Sequence, residues 1–313
     1  MKITTSSETF NTILGIFAII FWGTTIAFSR SLTEQLGVLT AASLIYLLSG
    51  IIACLYLVVT SKGIYKVFQL PILYLIGCGA LFAIYAVCLY LAVGLAFNRE
   101  QVIEVGIINY LWPGLTLIFS IPILHKKARI SLLPGIIIAF SGFYLATVQS
   151  GMFSWEGFRS NFQANYFPYI LAFLASISWA LYSNLSRRWA SHTESGAVPI
   201  FLLVTGLILT VIRFMFPEKS QWTPRVIYEL LYMAIFPTFL AYIFWDNAMR
   251  KGRIILVASL SYFIPLLSII ITSLYLHVVV RTNLWIACAL VIVGAIICKF
   301  SIIDISKKLP NIK

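Results

Sequence analysis

The sequence predicts an all-α membrane protein of ten transmembrane helices, arranged as two inverted five-helix repeats with both termini in the cytoplasm. Three observations carry that expectation. The 313 residues are 61% hydrophobic and only 10% charged, with a mean hydropathy of +0.97. A soluble domain of this length has no use for so much apolar surface. The apolar residues fall in runs long enough to cross a bilayer, which takes about 20 residues for roughly 30 Å of hydrocarbon. The two halves of the chain, finally, can be aligned with each other.

Ten spans follow from the apolar runs, at 13–33, 38–60, 70–97, 101–124, 131–149, 166–187, 196–216, 226–249, 254–276 and 282–303. The first is read as a retained helix, since it is not followed by a small-residue cleavage site of the A-x-A type. Most connections are short. The longer one, 150–165, reads as an extracytoplasmic linker between a first repeat (1–149) and a second (166–313). The net charge of +12 does not mark a nucleic-acid partner, because the basic residues are dispersed among short loops. Their distribution sets orientation instead. Fifteen Lys and Arg fall on the side of the termini and seven on the other, which places both termini in the cytoplasm.

The fourth span, EVGIINYLWPGLTLIFSIPIL at 104–124, is the most informative. It crosses the membrane yet carries Glu104 and Asn109, groups that are expensive in hydrocarbon unless they face protein or a watery path. Pro113 removes a backbone donor and predicts a bend. The run 109–124 aligns with 261–276 in the second half, matching Tyr110 with Tyr262 and Pro113 with Pro265. The same offset pairs Tyr90 with Tyr242 and Gly142 with Gly294. The segment 14–30 aligns with 171–187, matching Trp22 with Trp179. A duplicated unit with an odd number of helices must enter the membrane from opposite faces, and inverted repeats of that kind mark alternating-access transporters.

Ten helices as five plus five, Trp22 within the first and the prolines Pro113 and Pro265 in the fourth and ninth resemble the drug/metabolite transporter superfamily, EamA type. EVGIINYLWP at 104–113, with WALYSN at 179–184, is similar to its YddG aromatic amino acid exporter branch. The resemblance implies an inner-membrane exporter of aromatic and other neutral amino acids, with a central cavity open to one side at a time. It implies a small-molecule substrate, no enzymatic activity and no cofactor. Asn184 enters as a site candidate on that likeness alone. A drug/metabolite exporter of another metabolite or of a lipophilic cationic drug stays open, as, more remotely, does a membrane enzyme acting on lipid-linked groups. The oligomeric state stays open, a monomer included.

Each candidate residue has two readings. Glu104 is either an interfacial carboxylate, solvated or paired with Arg99, or a cavity group that attracts a substrate ammonium or takes a proton. Asn109 offers a donor and an acceptor to a zwitterionic backbone, or makes an ordinary interhelical bond. Trp22, Tyr90, Tyr110, Trp112, Trp179, Tyr182, Tyr242, Trp245 and Tyr262 lie within helices, where belt aromatics do not belong. As a set they suit a bulky apolar side chain; singly, each also suits packing. Tyr182 and Ser183 share a helix face with Trp179. Pro113 and Pro265 read as hinges. Asp246 and Arg250, four residues apart, read as a structural or gating ion pair. No phosphate-binding P-loop, H-E-x-x-H or G-x-S-x-G motif is present. The five Cys (54, 78, 88, 288 and 298) have no metal spacing, and no metal site is expected.

Overall fold

A computed structural model describes residues 5–59, 67, 69–148, 155–264, 266–268, 270–271 and 283–303. They are helical almost throughout. In chain order the helices are α1 (Thr5–Gly23), α2 (Thr25–Leu36), α3 (Val38–Val59), α4 (Leu73–Gly94), α5 (Arg99–Asn109) and α6 (Trp112–Ile123). There follow α7 (Leu132–Val148), α8 (Trp155–Ala164), α9 (Phe167–Ala190), α10 (Val198–Met215), α11 (Pro224–Lys251), α12 (Ile254–Leu260) and α13 (Asn283–Ser301). Among the described residues, six helices are long and apolar enough to cross a membrane, counting α5 and α6 together as one. A two-stranded ribbon, Lys127–Ala128 against Ile302–Ile303, ties the α6–α7 loop to the end of α13.

Several segments differ from the sequence expectation, each for a local reason. The first span is two helices. The hydroxyls of Thr24 and Thr25 bond back to the carbonyls of Phe21 and Trp22 at 2.7 and 2.6 Å, competing with the helical ladder just after Gly23. The fourth span breaks between Asn109 and Trp112, because Pro113 has no N–H to give to the Asn109 carbonyl. Tyr110 N closes the last α turn on Gly106 O, and Leu111 N then makes a tighter, three-residue bond to Ile108 O. The ninth span runs as α12 and a 3₁₀ turn, Ser261–Phe263. Pro265, the expected second hinge, lies outside the described residues. The linker 150–165 contains a helix, α8. In α11, Ala234–Leu240 is π-helical around Pro237. That register leaves carbonyls for other elements: Ala234 O accepts from Ser49 Oγ at 2.8 Å, and Pro237 O accepts from Trp22 Nε1 at 2.9 Å.

The packing is exchange-symmetric between the halves. α3 packs on α10 and α7 on α13; α4 packs on α9 as α11 packs on α1; α6 packs on α9 as α12 packs on α1. Each of the first two pairs meets at glycines from both halves. A Cβ at Gly50 would lie 2.5 Å from the Leu203 backbone, and one at Gly206 2.6 Å from Leu47 N. Gly142 meets Ala287 O and Val291 N, while Gly294 abuts the Ala139 backbone. Small residues let backbones approach where the surrounding lipid gives no hydrophobic drive to associate.

Candidate functional site

The break in α1–α2, the break in α5–α6 and the π turn of α11 converge on one cluster of rings. Trp22 lies 5.1 Å from Trp245, 5.6 Å from Tyr242, 5.8 Å from Trp179 and 6.4 Å from Trp112, centroid to centroid. Trp179 stacks on Trp245 at 6.0 Å, and Trp112 meets Trp245 edge-on at 5.3 Å. Phe82 and Tyr85 of α4 close the cluster at 4.9 Å from Tyr242 and 4.6 Å from Trp179. The polar edges are satisfied locally. Trp245 Nε1 donates to Ser183 Oγ at 3.1 Å, and the Tyr46 and Tyr242 hydroxyls share a bond of 2.7 Å. Tyr90 sits behind Tyr46, 5.9 Å away. The resemblance implies an open central cavity; the rings instead fill the middle in mutual contact. Clefts of about 220 Å³ beside Ile118 and Arg129 and about 160 Å³ beside Leu39 and Glu218 lie away from it.

Two amides border the cluster. Asn109 ends α5 at the break, and its buried Oδ1 has no hydrogen-bond partner. Asn184 donates Nδ2 to the carbonyls of Thr116 and Ala180, both at 2.9 Å, and its Oδ1 is likewise buried and unpartnered. A buried acceptor left alone costs about 1–3 kcal/mol, so such groups call for a reason.

Beneath Tyr182 lies a buried polar clasp. Asp246 accepts from Arg250 Nε at 2.7 Å, Tyr74 OH at 2.9 Å and Tyr182 OH at 3.0 Å. The Arg250 and Asp246 side chains are 1% and 2% exposed. Arg250 also donates to Thr193 O, Thr193 Oγ1 and Asn247 Oδ1, while Ala197 N donates to Tyr74 OH. The clasp thus joins α4, α9, the α9–α10 loop and α11. At the other end of α11 a second clasp forms. Glu218 accepts from Leu39 N, Thr40 N and Thr40 Oγ1, at 2.9, 2.7 and 2.6 Å, capping the start of α3. Arg213 Nε also reaches Thr40 Oγ1, at 3.0 Å.

Glu104 is elsewhere. It accepts from Asn161 Nδ2 at 3.2 Å on both oxygens and from the Tyr169 hydroxyl. It is buried at the joint of α5, α8 and α9 rather than aimed at the rings. The structure therefore brings together Trp22, Trp112, Trp179, Tyr182, Ser183, Tyr242 and Trp245, with Asn109 and Asn184 at their border. Tyr110 stands at the margin of that core, tilted against Phe143 at 4.7 Å, and Tyr262 lies apart, packed with Ala139, Ala287 and Val291. Tyr46, Phe82 and Tyr85 complete the cluster without having been singled out from sequence. Their signal was the one applied to Tyr90, an aromatic inside a span. Tyr74, Asn161 and Glu218 matter through contacts far along the chain, for which local pattern holds no sign.

A model of the EamA-like transporter family matches residues 9–148 and again 166–299. The chain is 31% identical over 288 residues to the aromatic amino acid exporter YddG of Salmonella typhimurium, covering 92% of this chain and 96% of that protein. It is 30% identical to YddG of Escherichia coli over the same shares. A solved crystal structure superposes with a TM-score of 0.79 at 24% identity, over 94% of this chain and 98% of the other.

Proposed function

Because this chain belongs to the EamA-like transporter family, we propose that it exports aromatic and other neutral amino acids across the inner membrane. The observation that carries the substrate class is the ring cluster bordered by the unpartnered Asn109 Oδ1. Rings that face each other edge-on can part to take another ring between them, at offset-stacked or edge-to-face geometry. An acceptor with no partner suits an α-ammonium group. The aromatic amino acid exporters to which the chain is similar favour the same class.

Ten helices as two inverted repeats, with both termini in the cytoplasm, are the architecture proposed. The two family matches and the exchange-symmetric packing support it. Transport is by alternating access, secondary active or facilitative. The Asp246–Arg250 clasp closes the face towards the termini, the Glu218 clasp the opposite face, and both must release in turn. The break at Asn109–Trp112 lets α5 and α6 move apart. Asp246 is neutralised by Arg250 and Glu104 is engaged by Asn161 and Tyr169, so neither of these two offers a lipophilic cation a free carboxylate at the rings.

The test is counterflow in proteoliposomes loaded with unlabelled Phe or Trp and offered labelled amino acid outside. Transient accumulation, lost in Asn109→Ala, is the result expected. No accumulation of any aromatic amino acid by folded protein refutes the substrate class.

A further inference from the structure

Helix α8 is a short surface element whose two sides differ in kind. Trp155, Phe158 and Phe162 recur at three- and four-residue spacing, so they share one face, and Tyr166 follows just past the end of the helix. Their rings run in a continuous file, with centroids 5.6, 6.1 and 6.4 Å apart. Trp155 is 72% and Phe162 46% exposed. Glu156, Ser160 and Gln163, also exposed, follow the opposite edge. The underside is occupied: Phe158 and Phe162 rest their inner edges on the buried Tyr169, each at 5.4 Å, and its polar groups are engaged. Asn161 Nδ2 donates to Glu104, Asn161 Oδ1 accepts from Asn98 Nδ2 at 3.0 Å, and Asn165 Nδ2 donates to Leu95 O at 3.2 Å.

Those underside contacts fix the height of α8. Leu95 and Asn98 lie between α4 and α5, where two membrane-spanning segments emerge. The ring file is also continuous with apolar residues of α9 that are exposed along its length, Phe167, Ile170 and Leu174. In a membrane protein that strip faces acyl chains. The geometry points to α8 as an interfacial anchor whose aromatic face seats in the headgroup–acyl boundary of a phospholipid bilayer. Aromatic side chains belong at that depth, and an amphipathic helix lies in its plane. Through Asn161 and Glu104 the anchor holds α5, the outer half of the broken span, at a fixed height in the membrane. Glu104 is then a positioning residue for α5.

The test uses the full chain in liposomes of phosphatidylcholine and phosphatidylglycerol, with or without bromine on the acyl chains near the headgroup. Bromine quenches Trp emission on contact. In Trp155→Phe the bromolipid-quenchable emission falls by the contribution of one of the eight Trp. An unchanged quenchable fraction places α8 in water and overturns the anchor. Asn161→Ala, in the same vesicles, keeps the quenching of Trp155 and slows transport; wild-type transport rates would overturn the link from α8 to α5. The quenching arm needs no substrate, so it stands or falls independently of the amino acid class proposed above.

Discussion

Replacing Asp246 by Asn is the sharpest perturbation of the lower clasp. It keeps the size and one acceptor oxygen for the Tyr74 and Tyr182 hydroxyls but removes the charge opposite Arg250. Breaking a buried ion pair by neutralising one partner costs about 3–5 kcal/mol, because the remaining charge stays buried. Arg250 keeps its bonds to Thr193 O at 3.1 Å, Thr193 Oγ1 at 3.0 Å and Asn247 Oδ1 at 2.9 Å, which sets the lower end, about 3 kcal/mol. If the clasp exists only when that face is closed, the whole amount falls on the closed state. At about 1.4 kcal/mol per decade the closed-to-open ratio drops roughly a hundredfold. Cys78, fully buried and one turn from Tyr74, is a native reporter. It should resist a membrane-impermeant maleimide in the parent and react in Asp246→Asn, with Cys78→Ser giving the background. Adding Arg250→Gln should restore much of the thermal stability, since no unpaired charge remains, but not the protection of Cys78. Unchanged labelling and an unchanged melting temperature in Asp246→Asn would refute both the magnitude and the closing role.

Asn109→Ala should raise the KM for aromatic amino acids by roughly 10–100-fold, the range of a lost bond to a charged group of about 1.5–3 kcal/mol. Its melting temperature should not fall, because the deleted acceptor had no partner. Gly206→Leu should lower the yield of folded protein sharply, with Leu47 backbone 2.6 Å from the new Cβ, whereas Gly106→Ala, which meets nothing within 4 Å, should be neutral or stabilising by up to about 1 kcal/mol in melting curves. Glu104→Gln should leave the pH dependence of counterflow unaltered, while Glu104→Ala, which strands Asn161 and Tyr169, should lower stability by about 1–3 kcal/mol. A pH profile flattened by Glu104→Gln would return Glu104 to the transport path.

The clustering of mid-span aromatics on one path was legible because a belt residue and a core residue occupy different parts of a span, and Trp22, Trp112, Trp179 and Trp245 all lie inside theirs. The break at Asn109 was legible through Pro113, which acts on its own helix. The place of Glu104 was not legible, for the opposite reason. A buried carboxylate in a span can be satisfied by anything that reaches it, and its partners Asn161 and Tyr169 stand 57 and 65 residues away. The approach of Gly50 to Leu203 and of Gly206 to Leu47, and the capping of α3 by Glu218, are likewise long-range. By itself the sequence determined membrane character, the apolar segments and the helix break at Pro113, all properties of composition or of neighbours along one helix. Only the tertiary structure decided which rings touch, which carboxylate is neutralised and that the linker contains a helix with a file of rings along one side. Those depend on which elements lie opposite one another, and no local spacing encodes that.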